Sequence, residues 1–184
     1  MKRLVLICLV ITAISVSVAF ASYSGGNSSA KIMMTSEKGD QRVTLMGSGT
    51  ATVDWGDGSE KVTLTLNENG VAFEHTYPNA TKRTITINGN NITGLRCGDI
   101  TSLDVSGCTE LKKLHYRGIL PILDVSKNTA LTELMLIGQP SAAAFNALFG
   151  TLHSNAGEKK IFTGGTGADE CDRSIAEKKG WTFQ

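Results

Sequence analysis

The tetrapeptide Leu103-Asp104-Val105-Ser106 returns as Leu123-Asp124-Val125-Ser126, an offset of 20 residues, and the leucines that follow keep the same phase, Leu111 with Leu131 and Leu114 with Leu134. Identity over a whole tetrapeptide, with later leucines in register, marks an internal repeat. A period this short belongs to arrays in which each unit contributes one strand and leans on its neighbours to bury its apolar face. The repeat therefore constrains the second half of the chain more than any other feature. It favours a binding module over an enzyme.

Aligned on the leucines, the segments Ile92-x-x-Leu95-Arg96-Cys97, Leu111-x-x-Leu114-His115-Tyr116 and Leu131-x-x-Leu134-Met135-Leu136 share one frame. The centre of each reads as a short strand whose alternate side chains point inward. Leu95 with Cys97, Leu114 with Tyr116, and Leu134 with Leu136 are then expected to stack as core ladders. Leu103 with Leu123 and Val105 with Val125 add ladders from the connecting segments. Between the inward positions lie Arg96, His115 and Met135, one per rung, with Phe162 as a fourth from a later strand. This outward row is the candidate binding surface, weighed against the simpler reading that these side chains merely face solvent.

The frame L-x-x-L-x-L and the wording LDVSGCTELKKL and LDVSKNTALTEL resemble the leucine-rich repeats of exported bacterial surface proteins, over about residues 90–138. The resemblance implies a short solenoid and a turn position, Cys108 in one copy and Asn128 in the next, whose side chain bonds neighbouring backbone groups. It extends to the tail, where Cys171, Asp172, Ser174, Ile175, Ala176, Lys178, Lys179, Gly180, Trp181 and Thr182 are similar to the family's closing unit. Beyond Pro140, Ser141 is a helix-capping residue type, and Phe145, Leu148, Phe149 and Leu152 fall at helical spacing within 142–152. A strand is expected at 159–163, a second helix at 169–179 with Cys171, Ile175 and Ala176 inward, and a closing strand at 181–183. Together these form a cap over the last rung.

The segment 31–88 has a different texture. Short alternating runs at 31–35, 42–46, 50–55, 61–66, 71–77 and 84–87 are separated by Gly-, Asn- and Asp-rich turns, which argues for an antiparallel β-sandwich. Within it, Val53-Asp54-Trp55-Gly56-Asp57-Gly58-Ser59 followed by His75-Thr76-Tyr77 resembles the signature of PKD-like domains, immunoglobulin-like sandwiches common in extracellular proteins. The residues suit that reading: Trp55 ends a strand as a buried anchor, the glycines permit positive φ, and Asp54 and Asp57 can accept turn N–H groups. Calcium binding by Asp54, Asp57 and Glu60 and acid–base work by His75 are the sharper alternatives. The carboxylates lack the dense spacing of a dedicated calcium loop. In the family pattern the His and Tyr pack and hydrogen-bond within the sandwich.

At the start of the chain, Lys2 and Arg3 precede an apolar run over 4–18, and Ala19-Phe20-Ala21 supplies a small-x-small cleavage pattern. A signal peptide over 1–21 is expected rather than a retained anchor, since the run is short for a membrane span. The organisation read from the sequence is thus 1–21 signal peptide, 22–30 flexible leader, 31–89 PKD-like β-sandwich, and 90–184 leucine-rich repeat domain with its C-terminal cap. The fold class expected is mixed α and β: a small antiparallel β-sandwich followed by a short leucine-rich repeat solenoid with a helical and strand cap. The junction falls at 88–91. Without Lys2 and Arg3, the 18 basic residues become 16 against 17 acidic ones, a formal charge of −1. No basic patch stands out, which removes support for nucleic acid or acidic membranes as partners.

Cys97, Cys108 and Cys171 remain after cleavage, an odd set that permits at most one bridge. Core and turn roles for Cys97 and Cys108 are the simpler reading beside a disulfide. Gly164-Gly165-Thr166-Gly167 lacks the Lys-Ser/Thr of a phosphate loop. His75, His115 and His153 fall in different units, no serine sits in a nucleophile elbow, and no cofactor or metal is expected. The function expected is a non-enzymatic module, periplasmic, secreted or on the cell surface, that recognises protein, peptide or glycan through the repeat sheet. The alternative is a structural spacer or assembly unit of an envelope complex.

Overall fold

A computed structural model describes residues 30–119 and 122–184. The expected signal peptide and leader lie outside them. In chain order the elements are β1 (Ala30–Ser36), β2 (Asp40–Gly47), β3 (Thr50–Asp54), β4 (Val62–Thr65), β5 (Val71–Thr76), β6 (Arg83–Gly89), β7 (Ile92–Gly98), β8 (Ser102–Asp104), β9 (Lys113–Gly118), β10 (Glu133–Gly138), α1 (Ala142–Thr151), β11 (Lys160–Gly165), α2 (Ser174–Glu177) and β12 (Thr182–Phe183). Among the described residues no helix is long and apolar enough to cross a membrane.

The strands make two sheets. One runs β4-β3-β6-β1-β8 and is antiparallel throughout; the other runs β12-β11-β10-β9-β7-β2-β5. In the second sheet the pairs β5–β2 and β2–β7 are antiparallel, whereas β7–β9, β9–β10, β10–β11 and β11–β12 are parallel. The change of direction happens at β7. On one side it pairs with β2, setting Thr44 opposite Arg96 and Leu45 opposite Leu95. On the other it pairs with β9, setting Leu95 opposite Leu114 and Cys97 opposite Tyr116.

This topology corrects the expected fold class. The chain is mostly β, with strand at 43% and helix at 9% among the described residues, arranged in two sheets with two helices and no separate solenoid. The physical reason lies in the edge of the first repeat strand. A run of so few repeats cannot bury its own apolar face, and β2 offers β7 a full hydrogen-bonding edge with buried Leu45 alongside. The repeat strands therefore continue the sheet of β5 and β2 across the expected junction. One hydrophobic cluster accordingly spans both halves, from Ile32, Val53 and Trp55 through Leu95, Leu114 and Leu134 to Phe149 and Trp181.

The ladders in that core follow the repeat. Leu114, Leu134, Leu111 and Leu131 are 0% exposed, and Leu95 and Leu136 are 1% exposed. The strands stack closely because glycines end them. A Cβ on Gly138 would lie 2.2 Å from the Gly118 carbonyl oxygen, and one on Gly98 would lie 2.4 Å from that of Arg117. Gly98, Gly118 and Gly138 are themselves 20 residues apart.

The cap differs in part from expectation. Helix α1 forms where the apolar spacing places it, with Ser141 Oγ accepting the Ala144 N–H at 3.2 Å and Phe145, Leu148 and Phe149 buried. The second helix, expected over 169–179, shrinks to α2. Local bonds compete with the helix before it: Cys171 Sγ points to the Ala168 carbonyl at 3.2 Å, Asn146 Oδ1 takes the Asp172 N–H at 2.7 Å, and Asp172 Oδ1 takes the Ser174 N–H at 3.1 Å. Trp181 closes the end, its indole N–H donating to the His153 carbonyl at 3.0 Å.

Candidate functional site

Strand register brings the sequence-derived candidates into one line. Arg96 lies opposite His115, His115 opposite Met135, and Met135 opposite Phe162. Their neighbours Leu95, Leu114, Leu134 and Ile161 point into the core and are at most 1% exposed. Strand alternation therefore turns all four candidates to the opposite, outward face. Arg96 is exposed, while His115, Met135 and Phe162 are half-buried by their neighbours on the same face. On the far side of Arg96 the row continues into Thr44 of β2.

The row is chemically divided. His115 Nε2 sits 2.5 Å from Glu133 Oε1, and Lys113 Nζ lies 3.7 Å from the other oxygen of the same carboxylate. That end of the face is a self-contained charge cluster, and His115 is committed to it, its side chain only 12% exposed. At the other end, the Arg96 and Arg117 guanidiniums have no hydrogen bond or ion pair with any described residue. Arg117 stands opposite Ile137, which is 42% exposed. Unpaired arginines beside Met135, Phe162 and Ile137 are a composition enriched where proteins bind ligands.

Glu133, Arg117 and Ile137 were absent from the sequence-derived set, although the alternation that selects His115 and Met135 selects them two positions away. The repeat frame carries that signal, since strands β9 and β10 each turn several alternate residues outward. Arg42, on β2, also reaches this face and pairs with Glu74 of β5 at 3.2 Å.

The other candidates are bound up in structure. In the WGDG turn, Asp57 Oδ1 accepts the Ser59 N–H at 3.0 Å and Oδ2 lies 2.8 Å from His75 Nε2. The His75 ring stacks on Trp55 at 5.1 Å between centroids, and the Tyr77 hydroxyl donates to the Trp55 carbonyl at 2.9 Å. The hydrogen bonds from Ser59 and then His75 hold the Asp57 carboxyl well below the usual range. Asp54 is engaged in its turn by Lys61 at 3.0 Å and by the Gly56 N–H at 3.0 Å. These contacts fix the turn against His75 of β5 and the following Tyr77.

The described cysteines, Cys97, Cys108 and Cys171, are free. Burial pushes the Cys97 and Cys108 thiols up to about 12, which suppresses the thiolate that redox or nucleophilic chemistry requires. Cys108 Sγ points to the Ile92 carbonyl at 3.4 Å, and the equivalent Asn128 donates to the Val105 and Cys108 carbonyls at 2.9 and 2.8 Å. Gly165, in the glycine-rich segment after β11, serves packing: a Cβ there would overlap the Gly138 carbonyl oxygen. No protein-family model, curated protein or solved structure matches this chain.

Proposed function

We propose that this protein is a non-enzymatic recognition module, exported to the periplasm, cell surface or medium, that binds a protein, peptide or glycan ligand through the outward face of its larger sheet. The single observation that carries this reading is the cross-strand row Arg96–His115–Met135–Phe162, flanked by Arg117 and Ile137. It combines unpaired guanidinium donors with a partly exposed apolar strip on a rigid, hydrogen-bonded platform. Rigid sheet presentation lowers the ordering cost of binding, and Arg with large apolar side chains contributes most of the energy at such surfaces. The N-terminal pattern that resembles a signal peptide and the PKD-like resemblance of 31–88 support an extracytoplasmic role.

The test is a ligand screen against arrayed glycans, peptides and envelope proteins, followed by the double variant Arg96→Ala with Met135→Ala. The proposal expects at least a tenfold loss of affinity for the ligand found, on the order of the 2 kcal/mol that marks a binding hot spot, with an unchanged urea midpoint. Unchanged affinity in a folded variant would reject this face as the binding surface.

A further inference from the structure

At the C-terminal ends of β7, β9 and β10 the outward face opens into a depression of about 680 Å³. Its floor is low because Gly98, Gly118 and Gly138, which line it, carry no side chains, and the close approach of successive strands keeps them glycine. Crevices beyond the carboxyl ends of parallel strands, next to a change in strand order, are common ligand positions in open sheets. Here β7, the strand at which direction changes, supplies Arg96, Cys97 and Gly98 to the lining.

The polar lining has two parts. Arg96 and Arg117 supply guanidiniums with no ion pair among the described residues, and Arg42 adds a third that already meets Glu74. Against them stand acceptors, the Asp40 and Asp99 carboxylates, with Gln41 beneath the rim. Gln41 is only 5% exposed, and its Nε2 donates to Ser36 Oγ at 2.7 Å and to the Asp99 carbonyl at 3.3 Å. Its Oε1 has no hydrogen-bond partner among the described residues. That oxygen is closed off on the inward side of β2, while the two Nε2 bonds tie the Asp99 backbone at the rim to Ser36 of β1. The backbone beside it is unusual as well, because Asp99 holds φ at 53°.

Resting on the proposed binding role of this face, we infer that the depression takes a uronic-acid-bearing glycan, with the sugar carboxylate on Arg96 and Arg117 and ring hydroxyls on Asp40 and Asp99. The mixture of donors and acceptors is what selects this ligand class. An acidic peptide satisfies the arginines but brings no hydroxyl donors to Asp40 and Asp99. A neutral glycan satisfies the acceptors but leaves two guanidiniums unused. A ligand with a carboxylate among hydroxyls answers both sets, and the fork geometry of arginine suits a carboxylate in two-point contact.

The test is calorimetric titration of the full protein with trigalacturonate, the same trisaccharide as its methyl ester, and pentaglutamate. The inference expects measurable binding of trigalacturonate, at least tenfold weaker binding of the ester and of pentaglutamate, and a loss of roughly tenfold or more for trigalacturonate in Arg117→Ala and in Arg117→Lys. Glu68→Ala, in the exposed turn after β4 and outside the depression, is expected to leave trigalacturonate affinity within about twofold, a change well under 1 kcal/mol. Equal binding of ester and acid, stronger binding of pentaglutamate, or an Arg117→Ala variant that binds trigalacturonate normally would overturn the inference. If trigalacturonate fails while another ligand binds through Arg96 and Met135, the uronate assignment falls and the broader recognition role stands. If no ligand of any class responds to variants on this face, both fall.

Discussion

The same four residues adopt two structures in this molecule. Leu103-Asp104-Val105-Ser106 enters β8, which lies antiparallel to β1 with Met34 opposite Leu103 and Met33 opposite Asp104. Leu123-Asp124-Val125-Ser126 forms no strand, and its Val125 N–H instead donates to Thr151 Oγ1 at the end of α1, at 3.2 Å. Yet the local turn is the same in both. Asp104 Oδ1 accepts the Ser106 N–H at 2.9 Å, and Asp124 Oδ1 accepts the Ser126 N–H at 2.8 Å. Burial is also the same, with Val105 at 0% and Val125 at 1% exposed. Local chemistry therefore sets the turn and the inward side chains, whereas the neighbour sets whether a strand forms. The first copy passes the open edge of β1, and the second passes a helix.

If burial rather than strand membership carries the energy, Leu103→Ala and Leu123→Ala should each cost about 2–5 kcal/mol, and by similar amounts, in urea unfolding. A much larger cost at Leu103 would show that the β1–β8 bonds dominate instead. A smaller effect separates the next turn of the two copies. Asn128→Ala leaves the buried Val105 and Cys108 carbonyls short of a donor and should cost about 2 kcal/mol, more than Cys108→Ala, whose thiol is a weak donor. Equal costs would mean that the asparagine bonds add nothing beyond packing.

Thr151→Val removes the helix-side acceptor from the second copy alone. It should cost about 1 kcal/mol and speed hydrogen exchange at Val125 while leaving β8 unchanged. Faster exchange at Leu103 as well would contradict the separation of the two environments. The smallest effect concerns acid. The bond from the Ser126 N–H, the largest cause, holds the Asp124 carboxyl below its usual range. Its contribution is thus present above the unfolded carboxylate pKa and fades as pH falls through the lowered folded value, from about pH 4 downward. Asp124→Asn should flatten that part of the stability profile, and an unaltered acid limb would exclude this turn as its source.

Much of this was readable in the chain. The alternation of Val62 with Leu64 and the glycine- and asparagine-rich turns place the strands of the first half, and the leucine frame places the rungs and the outward row. The class of fold was not readable, because alternation tells which face a strand buries but not which edge it pairs with. Nothing local in Ile92–Gly98 announces that β2 will lie beside it, and nothing in Ser102–Asp104 announces β1. The same limit explains the depression. Arg42, Arg96 and Arg117 come together only after β2, β7 and β9 align. Two signals were within reach: the glycines at 98, 118 and 138 repeat with the leucines, and Gln41 is a polar residue at an inward-facing step of β2.

The outward surface exists as one platform only if β7 joins the two halves into a single unit. Pulsed hydrogen exchange across a urea series, read by mass spectrometry on peptides containing Val43, Leu95 and Leu134, tests this directly. One sheet and one core predict a common midpoint for all of them, the signature of cooperative unfolding. A Leu134 peptide that opens at a distinctly lower urea concentration than the Val43 peptide would contradict the continuous sheet.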